Sequence, residues 1–351
     1  MLRKPPAGDA KSLVGVVAAV ILVIVFVGWP GAVLASPLKG MPALRAPAQQ
    51  GLPEVEALLS LAWSDPVPID THRSLTSVSC ATSNFCSAVD KKGNAVTYNG
   101  SKWGTPTTVD PQGGGLTSVS CPTSDFCVAV DHKGGAVTFN GSSWDHPVWP
   151  DPNGGGLSSV SCTVTRFCVA VDGKGDVVTY NGTVWAGPRD VDGSSLTSVS
   201  CVVARFCMAT DTDGDALTYN GAGWSSPKRI DTEGGSGVGI AAVSCTAPNF
   251  CVAVDAIGRA LTYYGNEWGS PRFIDPESWP LGGLSALSCA GPAFCLGVDP
   301  AGYEVLYDRP LWVPPNAIDL FGGGLSSVSC LRPGDCTVVD VTGNAIMSRA
   351  G

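Results

Sequence analysis

The residues of this chain that could do chemistry are fourteen cysteines, three histidines and thirty carboxylates. Every cysteine falls in a C-x5-C pair: Cys80 with Cys86, Cys121 with Cys127, Cys162 with Cys168, Cys201 with Cys207, Cys245 with Cys251, Cys289 with Cys295, and Cys330 with Cys336. Zinc and thioredoxin-like redox centres use C-x2-C spacing, and seven copies of one catalytic centre have no chemical logic. A gap of five residues instead sets each pair on neighbouring antiparallel strands across their turn, close enough to bridge. Seven structural disulfides are therefore expected, in a chain that folds outside the cytoplasm. His72, His132 and His146 leave little for imidazole chemistry.

The carboxylates fall in two repeated sets. Asp90, Asp131, Asp172, Asp211, Asp255, Asp299 and Asp340 each open an Asp-x-x-Gly turn, and Asp70, Asp110, Asp151, Asp192, Asp231, Asp275 and Asp319 each end a repeat. Two readings apply: local turn capping, repeated because the unit is repeated, or an acidic rim that binds cations, a basic partner or sugar hydroxyls. Asp211-Thr-Asp213-Gly-Asp215 resembles the opening of a calcium loop but lacks the distal Glu, so calcium is the one cofactor suggested. Glu233, Glu277 and Trp279 lie on the two longest connecting loops, near Asp255 and Asp299 in sequence. A Trp beside carboxylates suits sugar stacking, and a carboxylate pair built on Glu233 or Glu277 would suit polysaccharide hydrolysis.

What must position these residues is a repeat. The first cysteines recur every 39 to 44 residues, a period expected for propeller blades. In the second unit the pattern predicts strands over 116–121, 126–131, 136–140 and 144–151, with turn chemistry between them. Asp-x-x-Gly joins the second strand to the third, and Asn-Gly joins the third to the fourth in units one to four. The first strand is Ser- and Val-rich, whereas a Tyr or Phe ends the third (Tyr98, Phe139, Tyr180) and a Trp opens the fourth (Trp103, Trp144, Trp185). Small residues suit the axis of a radial stack and large ones its widening rim, and each aromatic pair should staple an outer hairpin. The last repeat has no fourth strand, while 63–70 matches one. The N-terminal segment is thus expected to close blade seven and remove two sheet edges.

The pattern S-V-S-C-x5-C-V-A-V-D-x-x-G-x-A-x-T-Y-N-G-x-x-W is similar to repeats in exported actinobacterial proteins of unassigned function, and it covers residues 63–351. The resemblance implies an all-β, seven-bladed β-propeller with four-stranded blades, and export. It carries over no catalytic residue. The WD40 and kelch signatures and the sialidase Asp-box are absent.

Ahead of the repeats, residues 1–35 hold Arg3, Lys4 and Lys11 before an uncharged apolar run over 13–27. Ending at Ala35, the segment reads either as a cleavable signal peptide or as an uncleaved transmembrane helix, the only membrane contact expected. Residues 36–62 read as a Pro/Ala-rich linker. A formal charge of -9 argues against nucleic acid as partner. Because blades this regular leave no single blade specialised, the chain reads as a monomeric, non-catalytic binding or scaffold propeller of the cell envelope. Its ligand would be a glycan or another exported protein, and the alternative is a polysaccharide-active enzyme.

Overall fold

The computed structural model describes residues 61–71, 74–164, 166–233, 238–276 and 283–349. The chain divides into two compact units, Met1–Glu54 and Val55–Gly351, and every described residue belongs to the second. The apolar N-terminal segment, the linker as far as residue 60, and Glu277 and Trp279 lie outside the described residues.

Each repeat forms one antiparallel sheet, and the seven sheets make an all-β, seven-bladed propeller with four-stranded blades. In blade one the strands Leu75–Thr82, Phe85–Asp90, Asn94–Tyr98 and Thr107–Thr108 lie side by side in chain order. The innermost strand of each blade packs beside that of the next, and Leu325–Arg332 of blade seven packs beside Leu75–Thr82 of blade one.

The cysteines pair as their spacing predicts, one disulfide to a blade. Cys80 is bonded to Cys86, Cys121 to Cys127, Cys162 to Cys168 and Cys201 to Cys207. In the last three blades Cys245 is bonded to Cys251, Cys289 to Cys295 and Cys330 to Cys336. Their Cα atoms are 3.9 to 4.1 Å apart. Such proximity follows from register, since the two cysteines sit opposite one another on the first two strands, as Cys80 does to Cys86 and Cys162 to Cys168. The second cysteine of every pair is fully enclosed, with Cys127, Cys168, Cys207, Cys251 and Cys295 at 0% exposure and Cys336 at 1%.

The fourth strands are shorter than their sequences suggest. Each Trp that opens one is followed three residues later by a proline, from Trp103/Pro106 to Trp312/Pro315. Proline has no N–H to give to a ladder, so pairing stops there and resumes only for a residue or two. In blade two the predicted strand over 144–151 is reduced to two bridges, Phe139 to Trp144 and Ala136 to Val148. Blade three keeps a longer strand, Trp185–Asp190, by absorbing the irregularity in a register shift between Val177 and Thr179. Proline on this exposed edge also blocks pairing with a second chain. Val67–Pro68 lies in the sheet of blade seven, with Val67 opposite Ala345 and Pro68 opposite Asn344, and Trp63 bridges Ser348.

The core is seven layers, each between two neighbouring blades. Val89, Ala95, Leu116, Val119 and Val137, for example, fill the layer between blades one and two. A large aliphatic residue stands at or just before the start of every inner strand (Leu75, Leu116, Leu157, Leu196, Ile240, Leu284, Leu325), and none is more than 2% exposed. The outer aromatics pair in blades one to six, with ring centroids 5.1 to 5.5 Å apart from Tyr98/Trp103 to Tyr307/Trp312. The size gradient therefore runs outward as expected.

The innermost edge of each sheet has no further strand to pair with, so its backbone groups need other partners. Serines of the preceding blade supply them. Val119 N–H donates to Ser77 Oγ at 3.1 Å and Cys121 N–H to Ser79 Oγ at 2.9 Å. Thr76 Oγ1 donates to Leu116 O at 2.8 Å. The same bonds recur from blade two to three (Ser118, Ser120, Thr117) and from three to four (Ser159, Ser161, Ser158). Ser327 and Ser329 of blade seven accept from Val78 and Cys80 of blade one. Blades five and six keep only part of the pattern: Ser244 and Ser288 still accept from Cys289 and Cys330, and Ser285 donates to Leu325 O, while Ala241, Ala242 and Ala286 occupy the other hydroxyl positions.

Removing an acceptor here strands a backbone N–H. Ser79→Ala and Ser120→Ala should each lower stability by about 1 to 3 kcal/mol, and Ala242→Ser should raise it by about 1 kcal/mol. Urea unfolding checks this, with exposed Ser142→Ala as reference. Equal midpoints for Ser120→Ala and Ser142→Ala would refute the bonding role.

Candidate functional site: the loop-bearing face

The connections from each fourth strand to the next first strand share one face of the propeller with the Asp-x-x-Gly turns. Contacts at glycines show how closely they fit. A Cβ added at Gly115 would collide with Lys91 O, and one at Gly156 would collide with His132 O. Both glycines also have positive φ, 110° and 82°, a region that L side chains avoid. Each loop thus lies backbone-to-backbone on the turn of the preceding blade.

Beneath this layer sit the two sets of aspartates. In every Asp-x-x-Gly turn the Asp Oδ1 accepts two backbone N–H groups, from residues i+2 and i+4, as Asp131 does from Lys133 at 2.6 Å and Gly135 at 2.8 Å. Asp255 accepts from Ile257 and Arg259, and Asp299 from Ala301 and Tyr303. The Asp that ends a repeat turns the following loop: Asp110 Oδ1 accepts Gly113 N–H at 2.7 Å and Asp192 Oδ1 accepts Ser194 N–H at 3.1 Å.

The two sets meet between blades. A Cβ added at Gly113 would collide with Oδ2 of both Asp110 and Asp131, so the two carboxyl groups converge under one loop. Asp151 meets Asp172, Asp192 meets Asp211, and Asp319 meets Asp340, each pair placed to share a proton in a carboxyl-to-carboxyl hydrogen bond. Between blades four and five Arg259 bridges the pair, with Nη2 2.7 Å from Asp231 Oδ2 and Nε 2.6 Å from Asp255 Oδ2. None of the fourteen aspartates is more than 7% exposed. Of the two readings, local turn capping describes them and an exposed acidic rim does not, because they are buried under loops and the Oδ1 of every Asp-x-x-Gly turn is spent on backbone N–H groups. The sequence carries no signal for this pairing, since the aspartates that meet belong to neighbouring repeats and the one constant spacing is within a repeat. In blades one to six the two aspartates of a repeat are always twenty residues apart, from Asp90/Asp110 to Asp299/Asp319.

Other candidate residues are placed as follows. Asp255 and Asp299 are buried in these pairs and present no carboxylate to solvent. In the calcium-like segment, Asp211 Oδ1 caps its own turn, Asp213 accepts from Ser194 Oγ at 2.7 Å, and Asp215 faces Arg229 at 4.0 Å. The three carboxylates have separate partners, and among the described residues no group of three His, Cys, Asp or Glu is arranged to hold a metal ion. Glu233 is exposed, and its N–H donates to Asp231 Oδ1. Trp149 is 45% exposed at the rim, in a cavity of about 440 Å³ with His146, Tyr180 and Trp185.

With the aspartates buried, the exposed tips of the turns decide the charge of the face. These tips are Lys91/Lys92 in blade one, His132/Lys133 in blade two and Gly173/Lys174 in blade three, then Thr212/Asp213 in blade four. Lys133 Nζ donates to Gln112 O and Lys174 Nζ to Asn153 O, both at 2.6 Å, so two of the ammonium groups are held over the loops. Inward of them, a cavity of about 320 Å³ is lined by His132, Thr76, Thr117, Ser158, Gly156 and Gly173.

No protein-family profile and no curated protein matches this chain. Solved structures do resemble it. YCF48 bound to D1 peptide superposes with a TM-score of 0.64 at 14% identity, covering 84% of this chain and 99% of that one. YCF48 from Cyanidioschyzon merolae gives 0.61 at 15%, covering 82% and 98%. The WD40 β-propeller domain of Doa1 gives 0.66 at 9%, covering 82% and 98%. At these identities the likeness is one of fold, and it agrees with the seven-bladed propeller read from the repeats.

Burial first, and then the neighbouring carboxylates Asp172, Asp211 and Asp275, push Asp151, Asp192 and Asp299 up to about 6. Asp319 is also pushed up to about 6, by burial and by its hydrogen bond with Asp340. Asp110 is raised in the same way by burial and Asp131. The folded protein therefore binds protons that the unfolded chain, with Asp near 3.8, has released. Stability from this source is full below the unfolded value and is lost as pH rises through the folded one. The melting temperature should fall between about pH 4 and about pH 6, and Asp151→Asn should flatten part of that slope. A melting temperature that rises over the same range contradicts the shared protons.

Proposed function

We propose that this protein is an extracytoplasmic, non-catalytic propeller that binds a segment of another exported protein on its loop-bearing face. The observation that carries the reading is the construction of that face. Its aspartates are committed to turns and interblade pairs, while glycine backbone and basic side chains are left at the surface. Such a surface offers a partner bare backbone and positive charge on blades one to three. Support comes also from the seven disulfides, which suit an oxidising compartment. YCF48, of the same fold, has been solved bound to a peptide. Residues 1–35 would deliver the chain across a membrane, as a signal peptide or as an uncleaved anchor.

The binding test uses the full oxidised chain against two arrays, one of overlapping peptides from exported proteins and one of envelope glycans. Saturable binding to a peptide with none to the glycans is the expected result. Saturable binding to a glycan alone overturns the reading.

We further infer that 63–70 holds the ring shut. Pairing of Val67 with Ala345, the bond from Ser64 N–H to Met347 O at 2.9 Å, and burial of Leu61 among Phe294, Leu296 and Val338 all support this. Removing residues 61–70 uncovers an edge of blade seven, so unfolding should stay cooperative and shift to lower temperature. An unchanged melting temperature sinks the idea.

A further inference from the structure

We propose that the basic arc on blades one to three is a docking surface for an acidic peptide segment. The inference rests on the peptide-binding reading above and adds both the location and the charge of the partner.

Charge placement is the first argument. The chain carries a formal charge of -9, yet four of the six lysines among the described residues (Lys91, Lys92, Lys133, Lys174) stand on three consecutive turns of one face. The other two, Lys102 and Lys228, lie elsewhere, at an outer hairpin turn and on an outer strand. No carboxylate is in salt-bridge contact with any of these four lysines among the described residues. Lys174 acts on the neighbouring Asp176 carboxylate without forming an ion pair, and the charge of the arc otherwise faces solvent, where a partner of opposite sign gains both steering and register.

Shape is the second. Gly114, Gly155 and Gly173 are exposed between the lysines, so bare backbone separates the charged tips and an extended chain can lie across them. Lys133 and Lys174 each spend one N–H on a loop carbonyl, which fixes the ammonium and leaves two donors for a ligand.

Polarity is the third. The same face turns acidic at blade four, where Asp213 and Glu233 are exposed. A segment that is acidic at one end and neutral or basic at the other would therefore bind in one direction.

The test measures anisotropy of a fluorescein-labelled decapeptide of alternating Glu and Gly against the full oxidised chain at about 0.15 M ionic strength, where the Debye length is about 8 Å. An alternating Lys and Gly decapeptide and a sulfated polysaccharide serve as comparison probes. The triple charge reversal Lys91→Glu, Lys133→Glu, Lys174→Glu should weaken the Glu peptide tenfold or more. A control triple away from the arc, Lys102→Glu, Arg205→Glu, Arg309→Glu, should change it by no more than about twofold, since exposed charges beyond a Debye length are screened. Near-UV circular dichroism confirms that both variants remain folded. Equal loss in the two triples would overturn the proposal, because the effect would then be one of net charge. So would saturable binding of the polysaccharide in the absence of peptide binding. If an array peptide binds and the arc reversal leaves it unchanged, the location fails while the peptide-binding reading stands.

Discussion

Everything in this molecule depends on how the inner edge of each sheet is satisfied. Seven sheets arranged around an axis leave seven inner edges with no strand beside them, and unpaired backbone groups at a buried edge are expensive. The Thr/Ser-Ser-Val-Ser run answers this with side chains. Two serine oxygens accept N–H groups of the next blade, and the preceding hydroxyl donates to its carbonyl. The seven blades are thereby linked by hydrogen bonds as well as by their apolar layers, while each blade keeps its own disulfide close to the axis.

The aspartates do for the loops what the serines do for the edges. One carboxylate oxygen caps each second turn, and the other faces the carboxyl group of the neighbouring blade. Placing two buried acids together is unfavourable unless a proton or a cation lies between them. Four interfaces from Asp110/Asp131 to Asp319/Asp340 use carboxyl contact with a raised proton affinity, and Arg259 provides the cation at the interface of Asp231 with Asp255. Arg259 stands four residues after Asp255, at the position that Asn94, Gly135 and Asp176 hold in other blades. One substitution in the repeat thus changes how an interface is neutralised.

This use of the acids decides the character of the surface. A protein with thirty carboxylates could be expected to show an acidic face where fourteen of them collect. Instead they are folded under loops, and the outward residues are those of the turn tips. In blades one to three these are lysines and a histidine; in blade four they include Asp213. The functional asymmetry lies in the turn positions that the repeat leaves free to vary.

Much of this was legible in the chain itself. The period, the C-x5-C pairs, the Asp-x-x-Gly turns and the outward gradient from Ser and Val to Tyr and Trp determine blades, disulfides and their radial order, because each is a local pattern of strand and turn chemistry. Pro106, Pro147 and Pro227 were equally visible, and they shorten the outer strands that the aromatics mark. What only the tertiary structure decided is which groups meet across blades. Ser77 with the amide of Val119, Asp110 with Asp131, and Arg259 between two acids join residues on different sheets, where neither strand period nor turn type constrains the contact. Whether an aspartate is a surface charge or a buried cap depends on the loop that lies over it. That loop is placed by the packing of seven blades, so the sign of the exposed face follows from the assembled ring.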